Sequence, residues 1–222
     1  YQTSWGVSTR LVGMIIMAHG DDKGLKLPPK LAPHQIVIVP IIPNDKDKDS
    51  VMTVVNQLND SLSEFRVIVD DRSEVSPGFK FNEWEQKGVP LRVEVGPKDI
   101  EKNTILVSRR DDESKNSYPM DDVQKTLKKL LNEIQDNLYK NSENTLKNNT
   151  THVESFSELT EVLNSKKGFV SCFWKENKED ELKIKEETSA TLRCYPLENT
   201  DSEKAVNSDS EDGNFAIFSK AY

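Results

Sequence analysis

The run Ile36-Val37-Ile38-Val39-Pro40-Ile41-Ile42 decides the fold class. Seven almost uniformly apolar residues, rich in β-branched side chains, describe a strand covered on both faces rather than one that alternates between core and water. Pro40, near the end, donates no ladder hydrogen bond and marks where pairing stops. Downstream, Val51, Val54, Val55, Leu58 and Leu62 recur at helical spacing behind Asp49-Ser50, a helix start. Val67–Val69 is a short strand, and Pro77-Gly78 opens a helical stretch holding Phe81, Trp84 and Glu85. Residues 89–95 then alternate, with Val89, Leu91, Val93 and Val95 on one face and Arg92 and Glu94 on the other. A strand over Thr104–Ser108 precedes a long amphipathic helix marked by Val123, Leu127, Leu130, Leu131, Ile134 and Leu138. Strands alternating with helices predict an α/β layer with a partly parallel sheet.

On the N-terminal side, Gly6–Arg10 reads as a strand end or turn, and Leu11–His19 as a buried helix or strand. The apolar run Leu11–Ala18 is too short to cross a bilayer. Asp21-Asp22-Lys23-Gly24 is a turn, and Pro28-Pro29 with Pro33 predicts a stiff linker. On the C-terminal side, the polar stretch 141–151 predicts a second boundary. Beyond it lies a smaller α+β region: a helix over Phe156–Leu163, a strand over Phe169–Trp174, a charged helix over Glu176–Glu187 and a strand over Thr191–Leu197. Residues 198–214, acidic and rich in Ser and Asn, read as a solvated loop before a last strand over Phe215–Phe218.

The composition narrows the function. A net charge of −8 excludes gripping nucleic acid by bulk charge. Between Gly78 and Arg110, however, seven basic residues face five acidic ones, a local surplus that suits an RNA contact. With 31% charged and 35% hydrophobic residues the chain suits a folded, soluble protein. Cys172 and Cys194 form no disulfide framework, which points to a reducing, cytoplasmic compartment. Tyr1 in place of Met suggests that the sequence begins inside a longer protein. A Gly-rich phosphate loop, a nucleophile elbow and a metal-ligand cluster are all lacking, and the three His are scattered.

One string carries chemistry. Thr3-Ser4-Trp5-Gly6-Val7-Ser8-Thr9-Arg10 runs through Gly13 to His19-Gly20-Asp21-Asp22-Lys23-Gly24-Leu25 and Leu27-Pro28-Pro29. It resembles the third signature motif of class II aminoacyl-tRNA synthetases, in the form found in prolyl-tRNA synthetases of the archaeal and eukaryote-like type. The resemblance continues through Pro77–Glu85, Lys87–Arg92, Gly96-Pro97-Lys98-Asp99, Arg193-Cys194-Tyr195-Pro196 and Lys220-Ala221-Tyr222. It implies three parts: residues 1–30 ending a catalytic domain built on an antiparallel sheet, 31–150 forming an α/β anticodon-binding domain with a mixed sheet flanked by helices, and 151–222 forming a small α+β C-terminal domain.

The implied activity is ATP-dependent ligation of L-proline to tRNA(Pro) through a prolyl-adenylate, with Mg2+ accompanying ATP. The implied roles follow by position. Arg10 is the catalytic guanidinium against the nucleotide, where a planar, permanently charged fork outperforms Lys. Trp5, Gly6 and Ser8 adjoin it at the ATP site. Phe81, Glu85, Arg92, Lys98 and Asp99 meet the anticodon, with Phe81 divided between stacking a base and packing in the core, and Trp84 assigned to the core. An ion pair from Glu85 to Arg92 or Lys98 is the alternative reading of those charges. Tyr222 is a candidate to approach the active site. Many relatives hold zinc through four Cys, but here Lys175 and Asp180 fall at the first two ligand positions and residues 198–214 contain no Cys, so no zinc is expected. Expected partners are tRNA(Pro), L-proline, ATP and a second subunit paired through the catalytic domain, with no membrane. A non-catalytic anticodon-binding module, or a related class II synthetase for another amino acid, is the alternative.

Overall fold

The computed structural model describes residues 2–199 and 201–220. The chain forms two compact units, residues 1–142 and 143–222.

The first unit is built on a five-stranded mixed sheet in the order β2-β1-β3-β4-β5. Strand β1 is Ile36–Pro40 and β2 Val67–Val69; β3 is Leu91–Val95, β4 Thr104–Arg109 and β5 Lys115–Pro119. The β1 strand pairs parallel with both β2 and β3, whereas β4 and β5 continue antiparallel. All five residues of β1 are buried, as its uninterrupted apolar run requires. Ile36, Ile38, Leu91, Val93, Ile105 and Val107 pack against helix α2 (Lys48–Ser61) and helix α5 (Val123–Asn148), which supply Val51, Val55, Leu127, Leu131 and Ile134. On the opposite face, Val37 and Val39 meet Trp84 of helix α3 (Pro77–Gln86). Ser76 starts α3 by accepting the Phe79 N–H, and Pro77 occupies the first turn, where its missing N–H costs nothing.

A buried carboxylate fixes α3 on the sheet. Asp70, 4% exposed, follows β2 and accepts both arms of the Arg72 guanidinium at 2.8 and 2.7 Å and the Trp84 indole N–H at 2.7 Å. The Lys80 ammonium donates to its main-chain carbonyl at 3.0 Å. Arg72, and then the Trp84 indole, hold the carboxyl down at about 2, against its desolvation.

The N-terminal segment departs from expectation. Leu11–His19 falls within a helix, α1 (Arg10–His19), but none of its residues is buried. Leu11, Val12, Met14, Ile16 and Met17 are exposed because no described element covers them. The anticipated linker 28–33 is instead pinned: Arg66 donates to the carbonyls of Pro29 at 2.7 Å and Ala32 at 2.9 Å, and Ala32 is buried. Residues 21–27 run beside the end of α3, Leu25 and Leu27 donating to the carbonyls of Gln86 and Gly88. Gly88 (φ 71°) is required here, since a β-carbon would lie 2.6 Å from that of Leu25. Asp21 accepts the two terminal nitrogens of buried Arg110 at 2.5 and 3.0 Å, while Arg110 Nε donates to the Glu85 carbonyl at 3.0 Å.

The second unit carries strands β6 (Thr150–His152), β7 (Phe169–Trp174), β8 (Ala190–Cys194), β9 (Ser202–Lys204) and β10 (Asp212–Lys220). Their order is β6-β7-β10-β8, with β9 on β10. Helices α6 (Phe156–Ser165) and α7 (Lys178–Thr188) bring Leu159, Leu163 and Ile184 to Val170, Cys172, Trp174, Ala216 and Phe218. Burial pushes the Cys172 thiol up to about 12, which makes it packing rather than a nucleophile. The polar stretch 141–151 is largely helical, since α5 continues to Asn148, helped by a Glu143–Lys147 pair one turn apart. The stretch 198–214 is not all loop, since β9 and the start of β10 lie within it. Asn207 closes the unit by accepting the Lys175 N–H and donating to the Lys175 carbonyl and the Asp180 carboxylate, each at 2.9 Å.

Two outcomes follow. Because the folded Asp70 pKa lies below its unfolded value of about 3.9, this group stabilises the unit above pH 4 and the contribution fades as pH falls toward 2. Asp70→Ala should cost about 3 kcal/mol by urea unfolding at neutral pH and flatten that acid limb. Asn207→Ala should lower the stability of the second unit by about 1–2 kcal/mol, read as an earlier thermal transition with the secondary structure of the intact chain retained below it.

Candidate nucleic-acid interface

Side-chain direction on β3 builds the site. Arg92 and Glu94 project to the face that carries α3, and the ladder sets Arg92 beside Ser108 of β4 and Ser108 beside Lys115 of β5. Helix α3 covers only the β1 side of this face. A cleft of about 200 Å³ therefore opens next to it, lined by Lys23, Glu85, Arg92, Ser108, Arg110 and Lys115, among others. Its remaining walls are Val37, Trp84, Val89, Arg109 and Glu113. Five of these eleven residues are cationic and two acidic, so the cleft is positive in a chain of net charge −8. All five cations have carboxylate partners: Arg110 pairs with Asp21, Arg109 with Asp111 at 2.8 Å, Lys23 with Glu113, and both Arg92 and Lys115 with Glu94. Lys23 and Lys115 keep 55% and 43% of their side chains exposed, so these two are the cations open to an anionic or hydrogen-bond-accepting ligand.

The expected anticodon residues divide in two. Glu85, Arg92 and Phe81 converge, since Arg92 lines the cleft with its guanidinium 4.2 Å from the Phe81 ring centroid. Phe81 thereby takes an intermediate place, packed beside Val37, Val39 and Trp84 and capped by a cation. Glu85 is bound neither to Arg92 nor to Lys98; its carboxylate lies 3.9 Å from the Lys23 ammonium. Lys98 and Asp99 do not line the cleft. They sit in a short helix, α4 (Pro97–Glu101), where Asp99 accepts the Gly96 N–H at 3.0 Å and caps the helix, and Lys98 is exposed. Trp84 is core as expected, 7% exposed.

Lys23, Ser108, Glu113 and Lys115 were not anticipated. They reach the cleft through the β4–β5 hairpin and through the turn at 21–24, and β5 has no apolar alternation to announce it. The available signal was Asp111-Asp112-Glu113-Ser114, a turn-forming cluster directly after a strand; Glu113 indeed takes φ 61°.

The residues expected at the nucleotide lie elsewhere. Trp5, Gly6 and Ser8 precede α1 without regular structure and Arg10 opens it, where the sequence reads as a strand end or turn. All four are exposed, and Ser8 Oγ accepts the Arg10 N–H at 3.4 Å. Tyr222 lies outside the described residues. Among the described residues no group of three or more His, Cys, Asp or Glu is placed to hold a metal ion, and no helix is long and apolar enough to cross a membrane.

Comparison with known proteins supplies the frame for this geometry. Residues 35–130 match the family model of an anticodon binding domain, and residues 156–222 match that of the prolyl-tRNA synthetase C-terminal region. The chain is 44% identical over 227 residues to the proline–tRNA ligase of Roseiflexus sp. (strain RS-1), covering 100% of this chain and 47% of that protein. It is 46% identical over 199 residues to the proline–tRNA ligase of Natranaerobius thermophilus, covering 89% of this chain and 41% of that protein. The corresponding figures for the proline–tRNA ligase of Alkaliphilus oremlandii are 47% over 199 residues, 89% and 41%. The chain thus spans about half the length of the curated relatives it matches. With a charged cleft on the matched sheet and both models aligned in order, the chain belongs to the prolyl-tRNA synthetase family, of which it carries the anticodon-binding and C-terminal domains.

Proposed function

We propose that this chain acts in ATP-dependent ligation of L-proline to tRNA(Pro) through a prolyl-adenylate, contributing the anticodon-reading domain and one piece of the ATP site. The observation that carries the reading is the convergence of Glu85 and Arg92 on one positive cleft inside the region that matches an anticodon-binding domain. A carboxylate can accept from the Watson–Crick edge of guanine, and a guanidinium can stack on a base or donate to it. Bases splayed from a loop present such edges, whereas paired bases in an RNA helix do not. Lys98 and Asp99, at the far side of β3, are assigned to a neighbouring nucleotide.

In the same reading residues 1–30 close a catalytic domain, 31–150 form the anticodon-binding domain and 151–222 the C-terminal domain. Arg10 serves the nucleotide phosphates as a fixed positive charge, with Trp5, Gly6 and Ser8 beside it. Mg2+ travels with ATP as part of the substrate. The C-terminal domain is proposed to need no zinc, because Asn207 already ties Lys175 to Asp180, the pair that matches two ligand positions of metal-binding relatives. A homodimer paired through the catalytic domain and a cytoplasmic location complete the proposal.

Two substitutions in the full-length protein separate the steps. Arg10→Ala should lower proline-dependent pyrophosphate exchange about a hundredfold or more and leave tRNA affinity unchanged; full exchange would refute its role. Glu85→Ala should lower kcat/KM for tRNA charging by about tenfold to a hundredfold, the scale of one lost base contact, with exchange unaltered. An equal fall in both reactions would remove Glu85 from the anticodon.

A further inference from the structure

Beside Arg92 lies a carboxylate to which the proposed reading gives no role. Glu94 is 5% exposed on the β3 face that carries α3. One of its oxygens accepts from Arg92 Nε at 3.2 Å and the other from the Lys115 ammonium at 2.9 Å. Both cations lie over the same ring, at 4.2 and 5.7 Å from the Phe81 centroid. Ser108 Oγ takes Arg92 Nη2 at 3.2 Å. The guanidinium is therefore fixed along two edges and across one face, and Nη1 makes no hydrogen bond among the described residues. Lys115, by contrast, keeps 43% of its side chain exposed at the cleft.

As a stabilising device this arrangement is poor. A carboxylate withdrawn from water recovers its desolvation cost only with good partners, and a packed aliphatic side chain commonly does as well. The neighbours on this face include Val37, Val39 and the Phe81 ring, so Leu or Val would extend an existing apolar layer. What an aliphatic residue cannot do is hold two cations at set positions. Charged groups of opposite sign that face one another limit the rotamers of Arg and Lys, which otherwise lose much side-chain entropy on binding.

We infer that Glu94 is a positioning residue for RNA recognition, holding the Arg92 guanidinium to receive a base and the Lys115 ammonium to meet the RNA backbone. The inference rests on the anticodon reading of the cleft. Arg92 is then presented as a flat cation backed by an aromatic ring, a surface on which an unpaired base stacks. Lys115 becomes a further contact residue, carried by a strand without apolar signature.

The sign of one measurement decides the matter. A merely structural Glu94 repels phosphate, and replacing it by Gln would raise the positive charge of the cleft and tighten RNA binding. A positioning Glu94 predicts the reverse. With the full-length protein and a fluorescent anticodon stem-loop of tRNA(Pro), Glu94→Gln should weaken binding about tenfold, roughly 1.4 kcal/mol, with pyrophosphate exchange unchanged. Tighter or unchanged binding by E94Q overturns the inference while leaving the anticodon reading in place. No binding of the stem-loop by the unsubstituted protein overturns both. Lys115→Ala, at a half-exposed position, tests the claim even if E94Q fails to fold. It should weaken binding and reduce the slope of log affinity against log salt by about one, and an unaltered slope would sink the proposal.

Discussion

The guanidinium of Arg110 is the point at which the first unit is tied together. It is 6% exposed, forks onto Asp21 and donates its remaining arm to the carbonyl of Glu85. Three segments distant in sequence thereby share one charged group: the 21–27 strip, the end of α3 and the end of β4. A buried arginine is tolerated only when its donors are matched, and here the match is geometric as well as electrical. Asp21 responds, its carboxyl held well below the usual carboxylate range chiefly by Arg110, with Lys26 adding to the effect. Because the main chain of residue 85 is held by this fork, the Glu85 carboxylate projects into the cleft from a fixed base. Gly88 and Gly24 permit the close approach that the fork requires, since a β-carbon at Gly24 would sit 2.5 Å from the Gln86 backbone.

The cleft also depends on one sheet having two chemically different faces. Towards α2 and α5 the sheet presents mainly aliphatic side chains, whose burial supplies most of the driving force for folding, with Tyr118 of β5 and the Arg109–Glu133 pair at its margin. Towards α3 it is aliphatic on β1 and charged on β3, with Ser108 and Lys115 following on β4 and β5. A single helix covers the aliphatic part and stops. Polar residues on the uncovered part satisfy one another, and their satisfaction leaves a surface that is both ordered and wet. Asp70 plays the complementary role beneath the helix, where its bonds to Trp84 and Arg72 tie α3 to the end of β2.

How much of this could be read in the residues depends on where apolar side chains fall. The β1 run, the helical spacing of Val51–Leu62 and Val123–Leu138, and Phe169–Trp174 are all legible because burial selected their residue types. Strand β5 and helix α4 escape the same reading, one an edge strand with a mostly exposed pattern and the other five residues long. That α5 runs on through the polar stretch 141–148 was not legible, because this part of the helix is held by side-chain pairs and continuity rather than by a buried stripe. Glu85 and Arg92 were singled out through resemblance, and both line the cleft. That Phe81 is covered by Arg92, and that Lys98 and Asp99 stand apart from both, depends on rotamers and on a helix cap that no one-dimensional pattern records. The expected burial of Leu11–His19 failed for a related reason, since apolar content specifies a wish for cover and says nothing of what provides it.

Support for side chains is unevenly distributed along the chain, and that unevenness bears on its work. Arg92 is fixed by a carboxylate, a hydroxyl and an aromatic ring, and Glu85 extends from a backbone anchored by Arg110. Arg10 has no such shell among the described residues and stands exposed at the start of a helix with no buried face. Recognition needs groups held to within a fraction of an ångström, and a supporting shell is what holds them. The rotamer restraint built into residues 21–115 is therefore concentrated around the cleft. A guanidinium such as Arg10 gains comparable precision only where other surfaces close around it, and the apolar side chains of Leu11, Val12, Met14, Ile16 and Met17 are the part of the helix that such closure would cover.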